Sequence, residues 1–120
     1  MKPGGVGQVA KGQGKSLRFK EFQEVNDLRC KTSFHGSDGW PVPMWCLAIA
    51  GEAGELCNLV KKVERGDFTL ESVRQQVLEE VADVITYCDL LMTQLGADTA
   101  EEVARKFNIV SERIGSAVRL

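Results

Sequence analysis

Two long segments of the chain carry apolar residues in alternating steps of four and three, the spacing of one helix face. In the first, about residues 43–65, that face is formed by Trp45, Ile49, Glu52, Leu56, Leu59 and Val63. In the second, about residues 70–95, it is formed by Val77, Val81, Val84, Cys88, Leu91 and Leu95. Since Gly66-Asp67 ends the first segment, the pattern predicts two helices that pack against each other.

Two shorter segments also have helical spacing. The first runs from Ser16, a possible cap, to about Lys31, with Leu17, Phe22, Val25 and Leu28 as its apolar residues. The last begins at Asp98 or Thr99, where Thr99-x-x-Glu102 fits a capping box, and its stripe is Val103, Phe107, Val110 and Ile114. Because no segment alternates as a strand does, we predict an all-α, four-helix-bundle-like domain with antiparallel helices over residues 16–120.

Charge is distributed unevenly along the 120 residues. The first 20 hold five basic and no acidic residues, so the net charge of −2 leaves −7 on the remaining hundred. We expect residues 1–15 to form a flexible, basic, glycine-rich tail. An acidic body argues against stable nucleic-acid binding.

Composition also indicates the cellular compartment of the protein. The longest apolar run, residues 44–50, is too short to cross a membrane, so no membrane partner is expected. The four cysteines lack the short paired spacing of a zinc site, and no apolar signal segment follows the start. These features predict free thiols and a cytoplasmic protein, with Cys30 partly exposed and Cys46, Cys57 and Cys88 in the core.

Four carboxylates occupy positions in or beside the apolar stripes. Glu52 lies on the first stripe with Glu55 three residues later, and Glu80 and Asp83 have the same spacing on the second helix. In an antiparallel hairpin these pairs face each other. Two carboxylates ~5 Å apart repel by roughly 3 kcal/mol at an effective dielectric of 20. An all-oxygen cluster of this kind favours Mg²⁺, or Mn²⁺, over zinc or copper.

Three stretches of sequence carry a family resemblance: WCLAIAGEAGELCNLVKK at 45–62, EEVADVITY at 79–87 and KFNIVSERIG at 106–115. With ExxE, a 24-residue spacer and ExxD, they resemble the MazG-like nucleotide pyrophosphohydrolases of the all-α NTP pyrophosphatase superfamily, particularly small single-domain phage-type members. The resemblance covers about residues 22–115. It implies cleavage of (deoxy)nucleoside triphosphates between the α- and β-phosphates, and assembly into homodimers or homotetramers. Assembly agrees with the wide apolar arc of the second long helix, where Leu78, Ile85 and Met92 extend the stripe.

The resemblance also implies site residues. The metal ligands would be Glu52, Glu55, Glu80 and Asp83, with Glu55 and Glu80 catalytic and Glu55 the preferred base for the attacking water. The predicted substrate contacts are Trp40, Asn58, Lys61, Tyr87, Lys106 and Arg113. Trp40, joined by His35, would stack on the nucleoside, Tyr87 would either stack there or pack in the core, and Trp45 belongs to the core. The lysines and Arg113 would contact phosphates, the alternative being that they are solvated surface bases.

Two other functions are compatible with these residues. The first is a non-catalytic helical oligomerisation or interaction module, in which the acids hold a structural metal or pair with Lys106 and Arg113. The second is a phosphatase or cyclic-nucleotide esterase that uses the same metal. The reaction product distinguishes them, since only the pyrophosphohydrolase releases pyrophosphate.

Overall fold

A computed structural model describes residues 16–34 and 39–120, and within these ranges the chain is helical without strands. The four helices are α1 (Phe19–Ser33), α2 (Val42–Arg65), α3 (Leu70–Gln94) and α4 (Thr99–Arg113). The all-α prediction is therefore confirmed. The predicted tail at residues 1–15, and His35, lie outside the described residues. No helix in the described ranges is both long and apolar enough to cross a membrane.

The helix ends follow local chemistry, with two corrections to the predicted starts. Gly66 and Gly96 have φ angles of 94° and 72°, a left-handed conformation that glycine adopts readily, and they follow α2 and α3. At the start of α4, Asp98 Oδ1 accepts a hydrogen bond from the Glu101 amide at 3.0 Å. Asp98 is therefore the cap, which confirms one of the two predicted positions, whereas the capping box predicted on Thr99 is wrong.

The first helix begins three residues later than Ser16. Its cap is Arg18, whose side chain makes no capping hydrogen bond. The Ser16 cap is therefore wrong. Without a side-chain acceptor, the free amides at this end depend on other partners.

Helices α2 and α3 pack along each other as a hairpin, and this is the most extensive contact between elements. The predicted α2 stripe is confirmed: Trp45 is buried, and the other five members are half-buried. On α3 the inward face differs from the predicted one. Its buried or half-buried members, again in steps of four and three, are Val73, Val77, Glu80, Val84, Tyr87 and Leu91.

The predicted α3 stripe is only partly buried, since Val81 is 38% and Leu95 61% exposed. Cys88 is exposed as well. The physical reason is the wide apolar arc of this helix, which offers more than one sector for packing. Glu80 and Tyr87 thus lie on the face that meets α2, not beside it.

The centre of the core is formed by Cys30, Trp45 and Leu90, each with no exposed surface. The Trp45 indole packs on Trp40 with ring centroids 4.9 Å apart, and its Nε1 donates to the Trp40 carbonyl at 3.2 Å. All four cysteines are free, as expected. Their predicted burial is wrong, because Cys30 is buried whereas Cys46 and Cys57, like Cys88, are exposed.

A buried polar network joins α1, α3 and the start of α4. The Asp89 carboxylate, 2% exposed, accepts from Asn26 Nδ2 at 2.9 Å and from Thr99 Oγ1 at 2.6 Å. Gln23 Oε1 accepts from the Thr99 amide at 3.0 Å. Since buried polar groups are costly unless hydrogen-bonded, these contacts specify how α1 and α4 meet α3.

We expect Trp45→Ala to lower the free energy of unfolding by about 3–5 kcal/mol, because it leaves a large cavity in the core. The control is Leu47→Ala on the same helix, a side chain 65% exposed, which should change stability by less than about 0.5 kcal/mol. Urea unfolding followed by circular dichroism measures both. Equal effects would show that Trp45 is not the centre of the core.

Candidate metal centre

Three carboxylates converge where α2 faces the middle of α3. One oxygen from each of Glu52, Glu80 and Asp83 lies within 4.8 Å of the others. Glu52 and Glu80 are half-buried and Asp83 is exposed. The hairpin thus brings together three of the four predicted acids, from positions almost thirty residues apart in sequence.

The cluster is electrostatically unfavourable. The pKa of Glu52 is raised, first by burial and then by repulsion from Glu55, Asp83 and Glu80. The pKa of Glu80 is raised by burial and then by Glu55, Asp83 and Glu79. In addition, Glu80 Oε2 is buried without a hydrogen-bond partner. These carboxylates therefore favour either protonation or a bound cation.

Glu55 stands at the edge of this cluster. It is not one of the three converging carboxylates, yet its charge raises the pKa of both Glu52 and Glu80. It is exposed and opens onto a groove of about 380 Å³. That groove is lined by Glu55, Asn58, Leu59, Lys62, Gln76, Glu79 and Glu80.

The opposite side of the cluster is aromatic. The centroids of the Tyr87 and Trp45 rings lie 6.4 Å apart. The pKa of the Tyr87 hydroxyl is raised, first by burial and then by the charges of Glu52 and Asp83. Trp40 is half-buried against Trp45. The phenol is therefore next to the carboxylates, while Trp40 is partly anchored in the core rather than free in its loop.

The predicted basic residues are not all near the acids. Lys106 lines a separate apolar groove with Phe107 and Val110, and Arg113 is exposed at the end of α4. Within the described part of the chain, none of the ion pairs involves the four predicted acids. The structure thus gives no support to a salt-bridge network between these acids and α4.

The lysine beside the acids is Lys62. It lines the Glu55 groove and is half-buried, whereas Lys61 is exposed and does not line it. Lys62 and Gln76 were not predicted as site residues, although the helical spacing of each from one of the acids could have indicated them. Lys62 lies seven residues after Glu55 and Gln76 four before Glu80, so each shares a helix face with an acid.

The donor set fits a small divalent cation. Carboxylate oxygens are the ligands that Mg²⁺ and Mn²⁺ prefer, and the orphaned Glu80 oxygen lacks a partner that such an ion would supply. Glu52, Glu80 and Asp83 can hold it, with Glu55 adjacent.

Comparison with protein-family models, curated proteins and solved structures found no match. The chemistry of these side chains therefore carries any functional conclusion.

The raised pKa of Glu80 means that the folded state holds this proton more tightly than the unfolded state. Its stabilising contribution is present at acid pH and is lost as pH rises through the raised pKa. Glu80→Gln should therefore raise the Tm of the metal-free protein at pH 7, and the gain should shrink as pH falls and the native glutamate protonates. Thermal unfolding in EDTA measures this.

In saturating Mg²⁺ we expect wild type to be more stable than Glu80→Gln, the reverse of the order expected in EDTA. At ten times its Kd a bound ion adds about 1.4 kcal/mol to wild-type stability, a gain that Glu80→Gln should reduce or lose. Glu64→Gln is the matched control, because Glu64 is exposed and lies half a turn round α2 from Glu55. A metal-free Glu80→Gln protein less stable than wild type at pH 7 would contradict the electrostatic account.

Proposed function

We propose that this protein is a Mg²⁺-dependent nucleotide pyrophosphohydrolase that cleaves (deoxy)nucleoside triphosphates to the monophosphate and pyrophosphate. The observation that carries the proposal is the convergence of Glu52, Glu80 and Asp83, with one buried Glu80 oxygen unpartnered. The resemblance of the ExxE and ExxD segments to MazG-like enzymes supplies the reaction and the substrate class.

The carboxylates would hold Mg²⁺, with Mn²⁺ also fitting the donor set. When bound, the metal supplies charge neutralisation at the phosphate oxygens and lowers the pKa of the attacking water. Glu52, Glu80 and Asp83 fix the position of this centre through the hairpin. The chain's acidic charge is then partly compensated at the place where an anionic substrate must approach.

Glu55 is the proposed general base. Its carboxylate is exposed at the edge of the cluster, so it is accessible to a water molecule, and it is not one of the three converging ligands. A positioned base accelerates such steps by typically ~100- to 10,000-fold. Asn58 opens onto the same groove and can donate to a phosphate oxygen. Trp40 and Tyr87 would contact the nucleoside.

Self-association is part of the proposal. Large apolar side chains are exposed on α3, on α4 and at the residue that follows α4, including Leu78 (44%), Ile85 (48%), Phe107 (41%) and Ile114 (70%). A second copy covering these faces would form the expected homodimer or homotetramer. Lys106 and Arg113 would then contact substrate only across a subunit interface. Free thiols accord with a cytoplasmic location.

The two rival functions predict different products. A non-catalytic module would bind metal without turnover, and a phosphatase or cyclic-nucleotide esterase would release orthophosphate or open a diester. Metal-dependent stabilisation fits all three, so only product analysis separates them.

Pyrophosphate release from a panel of nucleoside and deoxynucleoside triphosphates tests the reaction directly. With Mg²⁺ we expect monophosphate and pyrophosphate in equal amounts, and none in EDTA. Glu80→Gln should lower kcat by more than about 100-fold, since it removes a metal ligand, while Glu64→Gln should match wild type. Native rates in a folded Glu80→Gln protein would show that this cluster is not the catalytic centre.

The oligomer is tested by sedimentation. Wild type should sediment as a dimer or larger, and Ile85→Asp should shift it to monomer, because a charge would be buried among apolar side chains. The control is Leu47→Asp, which alters an exposed residue of α2 instead. A monomeric wild type at micromolar concentration would contradict self-association.

A further inference from the structure

The metal centre lies between two chemically different ends of the hairpin. Because α2 and α3 run antiparallel, residues early in α2 meet residues late in α3. Trp45 and Tyr87 are in contact at one end, and Lys62 and Gln76 line one groove at the other. The acids lie between these two ends, so a substrate bound at the acids would have one part at the aromatic end and another at the groove end.

The groove end carries polar donors that are not engaged elsewhere. In the described ranges, the side chains of Lys62, Asn58 and Gln76 make no hydrogen bond, and Lys62 makes no ion pair. Lys62 is nonetheless half-buried beside Glu55 and Glu80. A lysine that lies beside acids without pairing with them is available to bind another anion.

Helix geometry aims this ammonium at the cluster. Lys62 lies seven residues beyond Glu55, so their Cα atoms are ~10 Å apart along the axis. Side chains on a helix lean toward its N-terminus, which brings the Lys62 ammonium back toward Glu55. A phosphate chain that starts at the acids would therefore reach the groove.

Three acids, Glu55, Glu79 and Glu80, line the groove with Lys62, so phosphate binding there depends on a cation held by the cluster. Glu80 would then share its charge with that ion. Glu79 accepts a hydrogen bond from Gln75 Nε2 at 3.4 Å, so it already has a donor. Lys62, Asn58 and Gln76 remain as the unengaged donors on this side.

We propose that the groove binds the β- and γ-phosphates of the substrate, with Lys62 as their principal cationic contact and the nucleoside directed toward Trp40 and Tyr87. This inference rests on the proposed function. In the reaction, a water oxygen bonds to the α-phosphorus and passes one proton to Glu55. The bond from the α-phosphorus to the bridging oxygen breaks, that oxygen keeps the electron pair, and pyrophosphate leaves in the groove.

The competing orientation places the phosphates at the aromatic end. Arg29 lies there: its guanidinium carbon is 5.2 Å from the centroid of the Phe34 ring, and its charge acts on Tyr87. The two orientations make opposite predictions for two cations on different helices. Lys61 provides a third comparison, because it was predicted from the sequence as a phosphate contact but is exposed and does not line the groove.

The experiment measures binding of inorganic pyrophosphate in the presence of Mg²⁺ by calorimetry. Lys62→Ala should weaken binding about tenfold, as expected for loss of one charge-assisted hydrogen bond. Arg29→Ala, Lys61→Ala and the exposed control Arg74→Ala should stay within about twofold of wild type. Stabilisation by Mg²⁺ alone should be unchanged in Lys62→Ala, and Lys62→Gln should repeat its loss of pyrophosphate affinity.

The outcomes separate this inference from the proposed function. If Arg29→Ala weakens pyrophosphate binding and Lys62→Ala does not, the orientation of the substrate is reversed. If Lys62→Ala and Lys62→Gln both bind pyrophosphate as wild type does, or if wild type does not bind it, the groove assignment is overturned. If wild type hydrolyses nucleoside triphosphates and Lys62→Ala binds pyrophosphate as wild type does, the proposed function is supported and the groove assignment is rejected. Lys62-dependent pyrophosphate binding without hydrolysis would support the groove and reject the enzyme.

Discussion

The packing of α2 against α3 creates both the core and the candidate site. On an isolated helix, Glu52 would be a solvated acid with an ordinary pKa. When α2 meets α3, the same contact that buries Trp45 brings Glu52 within 4.8 Å of Glu80 and Asp83. Burial is the first cause of the raised pKa values, and mutual repulsion is the second. The apolar contact thus holds the acids in an arrangement that their charges oppose.

The two shorter helices are joined to this hairpin by polar contacts, in addition to the apolar contact that Cys30 of α1 makes in the core. Asn26 from α1 and Thr99 from α4 both hydrogen-bond to Asp89, a buried residue of α3. A network of this kind stabilises little on balance but penalises other arrangements, since each would leave a buried group unpaired. It therefore defines where α1 and α4 lie while the opposite side of α3 holds the acids.

The core of a single chain is small for a domain of this size. Its buried apolar residues are Cys30, Trp45, Val73 and Leu90 in the described ranges, whereas many large apolar side chains are exposed. Exposed apolar area of this extent is typical of surfaces that bind another protein. It favours the proposed self-association, in which α3 would contribute one face to its own hairpin and another to a second copy.

Much of the fold and part of the site could be predicted from the sequence. Helix periodicity and the glycines at 66 and 96 determined the two long helices, and the Glu52 and Glu80 spacings determined which acids share a helix face. Periodicity could not select among the apolar sectors of α3, because several are apolar enough to pack. Tertiary contact alone decided that Glu80 and Tyr87 lie within the packed face of α3 rather than beside it, that Cys30 is buried, and that Lys62 rather than Lys61 lies beside the acids. A helix repeat places residues on a face, but only the neighbouring helix determines which face is covered.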